Sequence, residues 1–169
     1  LCNDGCDYSY YVRPGSSGNK DKWIVFLKGG ALALSAEKLH ARWNSNLKRY
    51  MKPENRNWRP SDEGLFYNNT TENPFAEWTW VYVHYCSSDI FIGDKAASAE
   101  TGGWHIRGTS IINALFDDLK NPRNENLPDF DDAKEVLLAG GSGGGQGSIQ
   151  YADRIASMLP SSTSFKHLS

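Results

Sequence analysis

A serine surrounded by glycines is the feature of this sequence whose residue types are best suited to chemistry. Ser142 lies in the stretch Gly-Gly-Ser-Gly-Gly at 140–144, which satisfies the pattern G-x-S-x-G. An apolar segment precedes the pattern and an amphipathic segment follows it, which is the strand–turn–helix context of a nucleophilic serine. The flanking positions of so tight a turn must be small, which explains the glycines. The pattern therefore predicts that Ser142 is a nucleophile raised out of a sheet.

Two other kinds of glycine-rich loop fit this stretch less well. A phosphate-binding loop needs Lys followed by Ser or Thr after its last glycine, and here Gln146 and Gly147 stand instead. A dinucleotide-binding pattern would need glycine at position 146 and normally follows the first strand of its sheet. The acidic residue that such a pattern requires about 20 residues later is not evident in this sequence. A glycine-rich turn between strand and helix, without chemistry, remains the alternative at this point.

A second glycine pair stands where a hydrolase with a nucleophilic serine on such a turn would place a further oxyanion donor. Gly29 and Gly30 end the apolar run "WIVFLKGG", and such enzymes take one oxyanion donor from a loop after an earlier strand. The Gly143 backbone N–H, at the start of the following helix, would supply another donor. By itself the pair at 29–30 is equally consistent with an ordinary turn at the end of a strand.

The elements that would position these residues alternate between strand and helix. Apolar runs predict buried strands, and apolar residues at helical spacing predict helices, with Ser35 as a helix N-cap. This order predicts an α/β fold with a mostly parallel sheet flanked by helices, whose chemistry gathers where strands end. The predicted strands are 23–28, 79–85 and 134–139, with an edge strand in 7–13 and a fourth strand beginning at 164; the predicted helices are 35–51, 103–120 and 145–159. Residues 52–77 are predicted to be a long irregular excursion.

Composition excludes several classes of protein. The 169 residues suit one domain with a real core, and 39% hydrophobic residues argue against a disordered chain. A formal net charge of −2 without a basic run argues against a nucleic-acid partner. No apolar run is long enough for a membrane span.

The spacing of His and Cys predicts no metal site. The acidic run at 128–132 is interpreted as a solvated connector rather than a calcium site. No cofactor is expected.

Sequons and cysteines predict a secreted protein. Asn68 and Asn69 each begin a glycosylation sequon in a polar stretch. The chain opens on "LCNDGC" without an initiator Met or a signal peptide, so we expect a mature or trimmed segment. Three cysteines allow one disulfide and leave one thiol over.

Six short motifs together resemble one family. They are "CNDG" at 2–5, "WIVFLKGG" at 23–30, "ENPF" at 72–75, "YCSSD" at 85–89, "RG" at 107–108 and "LLAGGSGGGQG" at 137–147. Their order and spacing resemble the pectin acetylesterase/Notum carboxylesterase family over nearly the whole chain. The resemblance implies an α/β-hydrolase-like fold, secretion, and removal of acyl groups from carbohydrate or lipidated protein.

The resemblance also implies roles for individual residues. Ser142 would be the nucleophile, and the backbone N–H groups of Gly30, Ala31 and Gly143 would form the oxyanion hole. A disulfide is implied between Cys2 and Cys86, with Cys6 as the odd thiol. Asp89 would lie at the rim of the active site without a triad role.

The sequence departs from the family pattern in five respects. Lys28 replaces a glutamate, and Ala31 replaces the residue, usually Trp, that would form a wall of the acyl pocket. The following segment lacks the usual cysteine pair, and Gly143 stands where alanine is usual. The chain ends 27 residues after Ser142, so it resembles the amino-terminal portion, 1–169, of a single hydrolase domain that is apparently incomplete.

A serine nucleophile needs a base and an acid, which the α/β-hydrolase order places after the serine. His40 is predicted to lie on a helix, His84 in a buried strand, His105 at the start of a helix and His167 in the fourth strand, so we expect none of them to be the base. Both partners are expected beyond Ser169. The leading hypothesis is a secreted serine carboxylesterase that removes acyl groups, most simply acetyl, from a polysaccharide or glycoconjugate, with the carboxy-terminal half or other chains as further partners. The alternative is an inactive relative that acts as an extracellular structural or glycan-binding protein.

Overall fold

A parallel sheet with one antiparallel edge strand organises the molecule. The computed structural model describes residues 1–53, 64–122, 124 and 126–169. Within them, five strands form one sheet in the order β1-β3-β2-β4-β5. β1 pairs antiparallel with β3, and the other neighbours are parallel. The strands are β1 Tyr11–Arg13, β2 Lys22–Leu27, β3 Thr79–Val83, β4 Glu135–Gly140 and β5 Ser164–Leu168.

Among the described residues, three α-helices connect the strands. Their bounds are α1 Ala36–Trp43, α2 Gly108–Lys120 and α3 Gly143–Met158. Ser35 caps α1 as predicted, because its hydroxyl accepts a hydrogen bond from the Lys38 N–H at 3.2 Å. None of the helices among the described residues is both long enough and apolar enough to cross a membrane.

The predicted elements are present, but several are shorter than the sequence patterns suggest. The predicted helix 35–51 ends at Trp43 and is followed by a 3₁₀ helix, Asn46–Tyr50. The break occurs because Ser45 is extended and its hydroxyl accepts from the Leu47 N–H, which starts a new helical turn. The second predicted helix begins at Gly108 rather than at residue 103. Of the predicted irregular excursion, residues 54–63 lie outside the described residues.

Opposite faces of the sheet have separate apolar cores. Trp23, Val25 and Leu27 alternate toward the face covered by α2 and α3, where Trp23 meets Phe130 edge to face at 5.1 Å. Ile24 points the other way, into a cluster that includes Trp80, Tyr82 and Phe66. This alternation fixes the register, because a shift of one residue would exchange the two faces.

The parallel register brings the carboxyl ends of three strands to one edge. Leu27 is paired with Val83 on one side and with Gly140 on the other. The segments that follow β2, β3 and β4 therefore start at the same level of the sheet. They carry, in turn, the glycine pair at 29–30, the motif at 85–89 and Ser142.

Candidate active site

Ser142 occupies a strained turn between β4 and α3. Its φ of 55° and ψ of −123° lie in a region that non-glycine residues rarely adopt. Gly144 makes the turn possible, since a Cβ at that position would lie 2.0 Å from the Leu27 carbonyl oxygen. The Gln146 N–H donates to the Ser142 carbonyl at 3.2 Å, which begins the helix. The result is an exposed serine at the N-terminus of a 16-residue helix.

The loop after β2 lies against this turn. A Cβ built on Gly29 would be 2.8 Å from the Ser142 Cβ and 2.9 Å from the Gly143 nitrogen. A Cβ built on Gly143 would be 3.9 Å from the Ala31 nitrogen. The backbone at 29–31 is therefore adjacent to the serine, as the two glycine-ended strands predict.

Three backbone N–H groups in this region have no acceptor. Those of Gly30, Ala31 and Gly143 donate to no atom of the described residues. Gly143 is also the first residue of α3, where the helix dipole favours negative charge. A set of unpaired N–H donors beside a serine is the arrangement that stabilises an oxyanion.

The conformation of the loop is fixed from two sides. The Gly30 carbonyl accepts a hydrogen bond from Arg42 Nη2, and the Ala31 carbonyl accepts one from Tyr85 Oη at 2.8 Å. Gly30 lies between two rings, because a Cβ there would be 2.5 Å from Tyr85 Cδ1 and 2.8 Å from Tyr50 Cγ. Ala31 is held at a φ of 62°. Neither Arg42 nor Tyr85 was predicted to be a site residue from the sequence.

Tyr85 connects this loop with the segment that follows β3. Its hydroxyl donates to Ala31 and accepts from the Ile90 N–H at 2.8 Å. Burial raises the pKa of Tyr85 above its ordinary value, so the hydroxyl keeps the proton that it donates. Positive φ angles at Ser88, Ile90 and Phe91 show that this segment is strained as well.

Asp89 holds the strained segment in place. The residue is buried, and burial is the strongest influence on its pKa, which it raises, while hydrogen bonds act in the opposite direction. The carboxylate accepts from Ser87 Oγ at 2.5 Å and from the N–H groups of Phe91 at 2.9 Å, Gly93 at 3.0 Å and Gly108 at 2.8 Å. With four donors around it, the side chain acts as an anchor for the loop.

The amino-terminal residues reinforce the same segment. The structure contains a disulfide between Cys2 and Cys86. Asn3 is fully buried; its Oδ1 accepts from Ser88 Oγ at 2.6 Å, and its Nδ2 donates to the Ser87 carbonyl at 2.9 Å. Cys6 is free and exposed. The hydrogen bond that the Cys6 thiol donates to the Asp4 carboxylate raises the pKa of the thiol, which disfavours the reactive thiolate.

None of the four histidines hydrogen-bonds to Ser142 in the part of the chain that is described. His40 packs against Trp104, with ring centroids 5.4 Å apart. The remaining three have polar contacts elsewhere: His84 Nε2 with the Lys52 carbonyl at 3.1 Å, His105 Nδ1 with the Ala97 N–H at 3.4 Å, and His167 Nε2 with Ser148 Oγ at 2.9 Å. The arrangement presents an exposed serine beside backbone N–H groups that have no acceptor, and no base contacts that serine among the described residues.

Comparisons with known proteins point to one family. The family described as Pectinacetylesterase matches residues 1–169. A palmitoleoyl-protein carboxylesterase of Xenopus laevis, notum2, is 36% identical over 167 residues, covering 96% of this chain and 32% of that protein. Pectin acetylesterase 11 of Arabidopsis thaliana is 29% identical over 170 residues, covering 100% of this chain and 41% of that protein.

A solved structure has the same fold. The Wnt deacylase Notum from Drosophila superposes with a TM-score of 0.76 at 26% sequence identity, covering 98% of this chain and 48% of that one. The predicted α/β-hydrolase-like fold class is therefore confirmed. The chain spans about a third of the length of the first curated relatives it matches.

Proposed function

The chain belongs to the pectinacetylesterase family, and from that premise we propose that the full-length protein is a secreted serine carboxylesterase. Its substrate would be an acylated, most simply acetylated, polysaccharide or glycoconjugate. One observation carries the proposal: the strained turn presents exposed Ser142 beside three N–H groups that have no acceptor within the described residues.

The reaction begins with attack of Ser142 Oγ on the ester carbonyl carbon. The serine proton passes to a base, and the carbonyl electron pair moves to its oxygen, which accepts hydrogen bonds from the N–H groups of Gly30, Ala31 and Gly143. Collapse of this intermediate breaks the bond to the alkoxy group, which takes the proton from the base and leaves as the alcohol. Acyl-Ser142 remains.

Water completes the cycle. It attacks the acyl carbon while the base takes its proton, and the second oxyanion uses the same three N–H donors. Collapse breaks the bond to Ser142 Oγ, which recovers the proton, and the carboxylic acid leaves. We assign the base and its orienting acid to sequence beyond Ser169, because the four histidines of the chain have other contacts and its relatives are longer.

Covalent labelling tests this proposal. A fluorophosphonate reacts only with a serine whose nucleophilicity is raised by a base and an oxyanion hole. We expect the full-length protein to be labelled once, on the peptide that contains Ser142, and the label to be located by mass spectrometry. Absence of labelling in folded protein would favour the inactive structural or glycan-binding alternative.

If the protein is secreted, one of the two overlapping sequons at Asn68 and Asn69 should carry a glycan. Asn68 is exposed, and its Oδ1 accepts a hydrogen bond from Arg13 Nη1 at 3.1 Å. Asn69 is half-buried: its Oδ1 accepts from the Thr71 N–H at 2.9 Å, and its Nδ2 donates to Glu72 Oε1 at 3.3 Å. Because Asn68 is the more exposed of the two, and because the Asn69 Nδ2 would have to leave Glu72 before it could receive a glycan, we expect Asn68 to be the glycosylated residue.

Two threonine substitutions separate the sequons. Thr70→Ala destroys the sequon of Asn68 alone, and Thr71→Ala destroys that of Asn69 alone. After expression through a eukaryotic secretory pathway, Thr70→Ala is expected to lower the intact mass by one glycan and Thr71→Ala to leave it unchanged. The reverse result, or a wild-type protein without glycan, would contradict the assignment to Asn68.

A further inference from the structure

Arg42 is a buried cation directly behind the proposed oxyanion loop. It lies near the end of α1, and only 5% of its surface is exposed. Burial lowers the pKa of its guanidinium, but an arginine in a protein remains charged. Among the described residues its side chain makes one hydrogen bond, which Nη2 donates to the carbonyl of Gly30.

This cation has no anionic partner among the described residues. Nε has no hydrogen-bond acceptor there, and no carboxylate forms an ion pair with the guanidinium. Its aromatic neighbour is Tyr50, whose ring centroid is 5.7 Å from Cζ. Buried arginines are normally paired, because removing the charge from water is costly. The positive charge of Arg42 beside the Gly30 carbonyl therefore points to an anionic partner that exists only during a reaction.

The peptide bond links Arg42 to the proposed site. No peptide bond of the described chain is cis, and the C=O and N–H of a trans peptide point in opposite directions. Because Arg42 holds the Gly30 carbonyl, the Ala31 N–H of the same peptide is directed away from Arg42. The Ala31 nitrogen is 3.9 Å from the place of a Cβ on Gly143, which belongs to the serine turn.

We propose that Arg42 is a positioning residue for the oxyanion hole, and this inference rests on the proposed function. Its hydrogen bond to Gly30 fixes the direction of the Ala31 N–H. Its charge polarises the Gly30–Ala31 peptide and attracts the negative charge that develops on the substrate oxygen. That attraction exists in the transition state and not with the neutral ester, so it acts on kcat rather than on KM.

Two substitutions of Arg42 in the full-length protein test this role. Arg42→Gln removes the charge, and Arg42→Lys keeps it on a side chain without the planar fork. We expect Arg42→Gln to lower kcat for p-nitrophenyl acetate about 100-fold, the loss typical of one oxyanion donor. KM should change less than about 3-fold, because ground-state binding is not affected. Arg42→Lys should recover about a tenth of wild-type kcat or more, since it retains the charge.

Arg49→Gln is the matched control. Arg49 also stacks on Tyr50, with Cζ 4.9 Å from the ring centroid, but it is exposed and makes no hydrogen bond to Gly30. Its kinetic constants should equal those of the wild type. Circular dichroism should show the same folded fraction for each variant used in the comparison.

A buried arginine is also a risk to folding, and a second measurement covers that case. If Arg42→Gln does not fold, the test is the recovery of kcat in Arg42→Ala on addition of guanidinium ion at millimolar concentration, with Arg42→Lys alongside. Recovery in Arg42→Ala but not in Ser142→Ala supports the proposal. The proposal is overturned if guanidinium fails to raise kcat of folded Arg42→Ala, or if the substitutions change KM and not kcat.

The fluorophosphonate rate separates this inference from the proposed function. Wild-type protein that is labelled at Ser142, together with Arg42→Gln labelled equally fast, refutes the role of Arg42 and leaves the esterase assignment intact. Wild-type protein that is folded but not labelled refutes the esterase assignment itself. Labelling of Arg42→Gln about 100-fold more slowly than wild type supports both.

Discussion

Replacing Ser142 by alanine is expected to lower kcat for p-nitrophenyl acetate by about 10⁴-fold to 10⁶-fold in the full-length protein. The substitution removes the only atom that becomes covalently bonded to the acyl group in the proposed mechanism. Backbone N–H donors remain in place, so the residual rate should reflect oxyanion stabilisation alone. The measurement is steady-state hydrolysis together with fluorophosphonate labelling, which the variant should lose completely.

The backbone at this position supplies a second readout. Alanine inherits the φ of 55° and ψ of −123°, whereas glycine adopts such angles without penalty. Ser142→Gly should therefore be as inactive as Ser142→Ala but more stable by about 1 kcal/mol, seen as a higher Tm. Ser157→Ala, on the same helix but exposed, is the control that should retain activity. Substantial turnover by Ser142→Ala would rule out Ser142 as the nucleophile.

Removing the disulfide is expected to produce the largest loss of stability. Cys2 and Cys86 are separated by 84 residues, and closing a loop of that length contributes about 4–5 kcal/mol to the free energy of unfolding in the chain-entropy estimate. The double variant Cys2→Ser, Cys86→Ser should lose about that much in urea denaturation. Activity should fall too, since the disulfide holds the segment from which Tyr85 contacts Ala31.

The free cysteine provides the control for this experiment. Cys6 is exposed and outside the disulfide, so Cys6→Ser should leave both the urea midpoint and the activity unchanged. The same stability for the double variant and the wild type would contradict the structural role of the disulfide. A large effect of Cys6→Ser would show instead that Cys6 takes part in the pairing.

The main elements of the fold were predictable because their patterns are local. The apolar run before Gly29 and the one before Ser142 each mark a buried strand, and parallel pairing then brings their ends together. The G-x-S-x-G pattern follows an apolar run and precedes an amphipathic one, so the sequence places Ser142 at a turn between a strand and a helix. The boundaries were less predictable: the apolar spacing continues past Trp43, while the hydroxyl of Ser45 ends the helix.

The residues that support the site could not be found in the same way. Arg42 precedes Trp43 on a helix whose charged side chains would normally face water, so its burial depends on a loop 12 residues away. Tyr85 ends a run of aromatic residues that indicates only a core strand, yet its hydroxyl contacts Ala31, 54 residues earlier. Asn3 reaches Ser88 across 85 residues. These roles depend on tertiary contacts, which hydrophobic periodicity does not encode.

The long span of the disulfide also bears on the order of events during synthesis. Cys2 is made 84 residues before Cys86, an interval on the order of 10 s at ordinary rates of translation. Throughout that interval the thiol of Cys6, four residues from Cys2, is available to it. The native bond can therefore form only after Cys86 has been made, and a disulfide formed earlier between Cys2 and Cys6 would have to be reversed by thiol exchange before Cys2 could pair with Cys86.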